Sequence, residues 1–211
     1  MPSQLHDSIV DLFRRAPTLL FELLRGRNPP QPHPTGPIEV TDGDLSKARS
    51  IERRADLLLH RQGPDGTRFS DILEVQLIPP TRKKHRRWAG YVTEVHDRFD
   101  TDVTSLTIIT VNRAIARACA HPLHFGPPGV TWPPYVLGPD ELPWATAAQA
   151  ERMPELGVLC AIAHGDDPHV MQLIRETASP LLRLDEDIFS QYAEAIHSHL
   201  GCNWDGFRGS I

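Results

Sequence analysis

Arg54-Ala55-Asp56-Leu57-Leu58-Leu59-His60 and Asp71-Ile72-Leu73-Glu74-Val75-Gln76-Leu77 are two short apolar runs that carry acids, and Gly63-Pro64-Asp65-Gly66 lies between them. Aliphatic runs of this length, bounded by turn residues, read as two strands of a hairpin, Ala55–Arg61 and Arg68–Leu77. Side chains alternate along a strand, so Ile72, Glu74, Gln76 and Ile78 share one face and Leu73, Val75 and Leu77 the other. A hairpin centred near Asp65 sets Asp56 almost directly opposite Glu74, and a slip of one residue would flip the faces.

Outward from the hairpin, apolar residues at Trp88, Tyr91, Val92, Val95 and Phe99 predict an amphipathic helix over 82–99. Leu106–Val111 is β-branched and short enough for a buried strand, Asn112–His121 reads as a helix, and Tyr135–Leu137 as a last short strand. Upstream, Gln4–Leu24 reads as two short helices in series broken at Pro17, and 28–38 as a Pro-rich loop. Val40–Ser50 is polar and fits either a short edge strand or a helical turn. After Asp140 strand signals stop, and 156–163, 168–176 and 185–200 read as helices. The expected organisation is an α/β core with N-terminal helices over 1–140, a helical portion over 141–200 packed on it, and a loose tail over 201–211.

The chain has 211 residues, 40% hydrophobic and 23% charged, which suits one globular domain with appendages. No apolar run approaches the ~20 residues a membrane helix needs, and the N-terminus lacks the pattern of a signal peptide. A cytoplasmic protein without a membrane partner is expected. Cys119, Cys160 and Cys202 are scattered and odd in number, against a disulfide framework or a cysteine zinc site. A net charge of −5 argues against nucleic-acid binding by overall charge, so any such contact needs a local basic patch.

Two carboxylates on one face of a mostly apolar sheet stay ionised cheaply only with a cation between them. Carboxylate oxygens suit Mg²⁺ or Mn²⁺, which keep water and take phosphate oxygens. Such a site predicts phosphodiester hydrolysis, with Gln76 orienting water or a substrate oxygen. The plainer reading pairs these acids with Arg53 or Arg54. Arg82-Lys83-Lys84-His85-Arg86-Arg87 is the densest basic run and follows the second acidic strand, where it would meet phosphates or simply be solvated. His164-Gly165-Asp166-Asp167-Pro168-His169 reads as a turn between helices, His121 and His124 as loop residues, and Trp132-Pro133-Pro134-Tyr135 as packing under a loop. His197 and His199 are too close on a helix to face one metal. No nucleophile elbow or phosphate-cradling glycine loop is present.

Three stretches together resemble the PD-(D/E)XK nuclease superfamily, and within it the Rpn-type transposase/nuclease-like proteins of actinobacteria: Leu5-His6-Asp7 with its Leu-Phe-Arg-Arg helix, Arg54-Ala55-Asp56, and Leu73-Glu74-Val75-Gln76-Leu77. Arg87-Trp88, Tyr91 and the strand 106–111 follow in the same order, so the resemblance covers roughly residues 4 to 165. It implies a restriction-endonuclease-like mixed sheet flanked by helices and Mg²⁺- or Mn²⁺-dependent cleavage of DNA, linked to recombination or transposition. Asp56 and Glu74 would hold the metal, with the Val75 carbonyl as third ligand. Gln76 stands where the superfamily has lysine, which leaves Lys83 or Lys84 to stabilise charge, and Arg82, Lys83, Lys84, Arg86 and Arg87 to contact the DNA backbone. Glu52 would be an auxiliary acid. A homodimer is compatible with the resemblance, as is a catalytically inactive nucleic-acid-binding or protein-interaction module on the same fold.

Overall fold

The computed structural model describes residues 4–25, 36–41, 55–125 and 130–200. Glu52, Arg53, Arg54, Cys202, most of the Pro-rich stretch and the 201–211 tail lie outside them. The elements in chain order are α1 (Gln4–Arg15), α2 (Thr18–Leu24), β1 (Glu39–Thr41), β2 (Leu57–Gln62), β3 (Arg68–Val75), α3 (Arg82–Phe99), β4 (Val103–Ile109), α4 (Arg113–Cys119), β5 (Leu123–Phe125), β6 (Val130–Trp132), β7 (Tyr135–Leu137), α5 (Ala147–Arg152), α6 (Pro154–Ala163), α7 (Val170–Leu181) and α8 (Glu186–Leu200). None of the described helices is long and apolar enough to cross a membrane.

The chain divides into two compact units, Leu20–Glu141 and the combination of Met1–Leu19 with Leu142–Ile211. The first is an α/β unit with a mixed five-stranded sheet in the order β1-β2-β3-β4-β7. β1, β2 and β3 are antiparallel neighbours, whereas β3, β4 and β7 run parallel. The β2–β3 turn closes through Gly63 N–H donating to the Thr67 carbonyl (2.8 Å), and the Asp65 carboxylate accepts from Thr67 N–H (3.0 Å). Gly66 sits at φ 87°, where a side chain would be strained. Leu57 pairs with Leu73 and Arg61 with Phe69, so the hairpin is centred on Asp65, the register that the spacing predicts.

One sheet face presents Leu58, Ile72, Leu106 and Ile108 to Trp88, Tyr91 and Val95 of α3 and to Ile115 and Cys119 of α4, forming the core. These α3 residues recur at helical spacing, which buries one stripe and leaves the opposite side wet. Trp132 packs against the same cluster, as expected for packing rather than base stacking. The opposite face carries Leu57, Leu59, Arg61, Asp71, Leu73 and Thr107 by strand alternation. Thr107 is fully buried and its Oγ1 has no hydrogen-bond partner. Thr107→Val keeps the branched shape and removes the stranded hydroxyl, so it should raise unfolding stability by about 1 kcal/mol. Urea denaturation checks this, and a loss of stability would mean that the hydroxyl is solvated by an internal water.

The second unit is helical. Every residue of α6 from Leu156 to Ala163 is buried, and this uniformly apolar helix contacts α1, α5, α7 and α8. α1 turns Ile9, Leu12 and Phe13 inward and is tied to α8 by Arg15 and Asp11 bonding the Gln191 amide (2.8 and 3.1 Å). The sequence reading placed both N-terminal helices with the sheet; α1 instead groups with the C-terminal helices, and the division falls within α2. The segment 164–169 is the expected turn, with Asp167 accepting from His169 N–H (2.8 Å). α5 and the β5–β6 pair were not anticipated. α5 has little apolar periodicity, but Thr146 and Gln149 form a reciprocal capping box, a Thr-x-x-Gln signal visible in the sequence.

Candidate functional site

The candidate site lies at the carboxyl end of β3, where the chain passes through Leu77–Pro80 into α3. The register that pairs Leu57 with Leu73 carries Asp56, one residue ahead of β2, to the level of Glu74. Asp56 Oδ2 accepts a hydrogen bond from Val75 N–H at 2.7 Å, which fixes its carboxylate against the end of the strand. Glu74 is on the face covered by α3, and its side chain is 1% exposed. A carboxylate buried this deeply needs a counter-charge.

Lys84 supplies it. Its Nζ donates to Glu74 Oε2 at 2.8 Å and lies 5.9 Å from the Tyr91 ring centre. The placement follows from helix geometry: Thr81 caps α3 by accepting from Lys84 N–H, and Lys84 stands four residues before Trp88 and seven before Tyr91, on the stripe that faces the sheet. Burial lowers the proton affinity of the Lys84 amine, but Glu74, with Tyr91 and Asp56 behind it, outweighs burial and holds the pKa above its ordinary value. Burial and the Glu74 charge likewise push the Tyr91 hydroxyl up, against the opposing pull of Lys84 and Arg87. The basic run therefore divides. Lys84 and Arg87 are half-buried on the Tyr91 side, whereas Arg82, Lys83 and Arg86 are exposed.

Gln76 continues the β3–β4 pairing, its N–H donating to the Ile109 carbonyl at 2.9 Å. Its side-chain amide donates to the Ile78 carbonyl at 2.6 Å and shapes the turn into α3. Sequence reasoning assigned it to water or substrate; the structure engages its amide nitrogen with the backbone. Asp56, Glu74, Val75, Gln76 and Lys84 thus come together, while Arg82, Lys83 and Arg86 flank them on the open side of α3. Among the described residues no group of three His, Cys, Asp or Glu side chains is placed to hold a metal. The oxygen donors that the structure brings to this end of the sheet are the Asp56 and Glu74 carboxylates, hard ligands of the kind that suit Mg²⁺ or Mn²⁺ retaining water.

Sequence reasoning missed a second charged centre on the opposite face. Arg61 Nε donates to Asp71 Oδ2 (3.1 Å) and Ser105 Oγ to Asp71 Oδ1 (2.6 Å), all within the sheet. Strand alternation was the available signal, because it puts an Arg and an Asp of neighbouring strands on one face. A cavity of about 640 Å³ opens beside Arg61 at the turn end of the hairpin, away from Glu74, and is lined by Glu39, Thr41, His60, Arg68, Phe69 and Phe99 among others. His60 bridges Ser70 Oγ (2.7 Å) and Thr41 Oγ1 (3.3 Å) and lies over the Phe99 ring.

Burial holds the His60 pKa below 6.5, although Glu39 and Asp71 pull it upward. Burial also lowers His85 and His199. A base with a lowered folded-state pKa takes its proton more readily when unfolded, so stability falls as pH drops from 6.5 through the folded value. Melting temperature should decline on acidification across that window, and His60→Gln should flatten the slope. Parallel pH profiles for variant and wild type would sink the assignment. The Cys119 and Cys160 thiols are pushed up to about 12 by burial, so neither is a ready nucleophile.

Comparisons with protein-family models, curated proteins and solved structures found no match to this chain.

Proposed function

We propose that the protein is a metal-dependent phosphodiesterase acting on DNA, built on a restriction-endonuclease-like α/β core. The observation that carries this reading is the approach of Lys84 Nζ to within 2.8 Å of Glu74, which brings an ammonium from α3 to the acid pair in place of the lysine that Gln76 replaces. Asp56 and Glu74, with the Val75 carbonyl, would hold Mg²⁺ or Mn²⁺. When bound, the cation supplies positive charge at the scissile phosphate and acidifies an attacking water. Lys84, charged at neutral pH, stabilises the negative charge that builds on the phosphate oxygens. Exposed Arg82, Lys83 and Arg86 hold the flanking phosphates, contacts that set affinity and register without reading sequence. Gln76 keeps the 76–78 turn in shape through the Ile78 carbonyl.

A second reading is favoured by a specific feature: Lys84 Nζ and Val75 N–H each donate to one of the two acids, so both carboxylates have a structural partner within the unit. On that reading the fold is a nucleic-acid-binding module without catalysis. Supercoiled plasmid incubated with Mg²⁺ or Mn²⁺ separates the two. Nicking by the wild type that is lost in both Asp56→Ala and Glu74→Ala is the expected result. A plasmid that is shifted on a gel yet never cut would establish the binding module instead.

A further inference from the structure

We infer that Lys84 gates the cation: its ammonium holds the Glu74 carboxylate until Mg²⁺ or Mn²⁺ takes its place, and the displaced ammonium then faces the phosphate. This rests on the metal-dependent reading above and adds the order of events within that site.

Glu74 is buried to 1% exposure, and its Oε2 lies 2.8 Å from Lys84 Nζ. A divalent ion bonds carboxylate oxygen at about 2.1 Å. An ion seated on Oε2 would stand within a few ångströms of the ammonium, where two positive charges in a low-dielectric pocket repel strongly. One cation therefore leaves as the other arrives. Lys84 has a way out, because its side chain is 30% exposed whereas that of Glu74 is closed off. Its backbone does not need to move: Thr81 Oγ1 fixes Lys84 N–H at 3.2 Å, so the side chain pivots from an anchored first turn of α3. Asp56 and Tyr91 lie within electrostatic reach of the departing ammonium and keep it beside the site.

Lys84 thereby sets two quantities in opposite directions. It weakens metal binding, since the ion has to displace it, and it strengthens the reaction, since its charge is released only when metal is present. A residue that merely supported the fold would not produce that opposition.

Titration calorimetry with Mn²⁺ on wild type and Lys84→Met tests the first half without any turnover. Removal of the competing charge is expected to tighten Mn²⁺ binding by about tenfold or more. Glu74 left in an apolar wall destabilises the variant, so a second measurement uses the wild-type chain: the acetylation rate of each lysine amine, read by mass spectrometry. Lys84 should become several times more reactive when Mn²⁺ is added, with Lys83 unchanged and with no Mn²⁺ effect in Asp56→Asn. Equal Mn²⁺ affinity in wild type and Lys84→Met, or a Lys84 rate indifferent to Mn²⁺ that binds, overturns the gate and leaves the metal site standing. Absence of Mn²⁺ binding to both proteins overturns the metal-dependent reading and the gate with it.

Discussion

Replacing Asp71 with alanine is expected to cost about 3–5 kcal/mol of folding stability. The Asp71 and Arg61 side chains are 2% and 1% exposed, and their charges meet at 3.1 Å inside the sheet. Arg61 also lies over the Phe69 ring, 3.9 Å from its centre, and 4.8 Å from that of Phe21. The alanine variant deprives a buried guanidinium of this carboxylate, and cation–π contacts do not replace a full negative charge. Burial pushes the Asp71 carboxyl above its ordinary value, against the opposing pull of Arg61 and Ser105. The double variant Arg61→Met/Asp71→Leu should recover most of the loss, because apolar side chains of similar size fill the space without desolvating a charge. Urea denaturation of Arg61→Met, Asp71→Leu and the double variant closes the cycle, with Asp71→Ala measured beside them. A loss below about 1 kcal/mol for Asp71→Ala would place the pair among solvated interactions.

Lys84→Met is expected to slow plasmid nicking by about 10²–10³-fold under single-turnover conditions, the usual cost of removing one preorganised charge at a reacting centre. Lys83→Met is expected to leave that rate unchanged at saturating plasmid and to lower the salt slope of binding by about one. Adjacent residues of the same type differ because α3 turns Lys84 towards Glu74 and Lys83 towards solvent. A charge in a half-buried wall is worth more than the same charge in water, and Glu74, Tyr91 and Asp56 keep this one protonated. A Lys84→Met protein that nicks at the wild-type rate would transfer the role to Arg87, the other basic side chain on the Tyr91 side.

Most of the α/β unit was legible because its signals are local. Gly63-Pro64-Asp65-Gly66 fixes the turn, the turn fixes the register, and the register carries Asp56 to Glu74. The bounds of α3 followed from Pro79 and Pro80 before it and from the Trp88–Tyr91–Val95 stripe within it. Even Lys84 could have been chosen over Lys83 by counting back four residues from Trp88. The parallel alignment of β3, β4 and β7 has no such signature, because strands joined through helices carry no turn that sets their register.

By itself the sequence determined most of the longer elements, the hairpin register and the acids that share its open end, since each depends on alternation, helical period or turn chemistry among near neighbours. The tertiary structure decided the rest: that Lys84 is the counter-charge of Glu74, that Arg61 and Asp71 form a buried pair under Phe69, that the Gln76 amide serves the backbone, and that α1 belongs with α6 and α8. Each of these depends on which side chains burial leaves without water, and burial is set by the packing of the whole unit rather than by any short stretch of it.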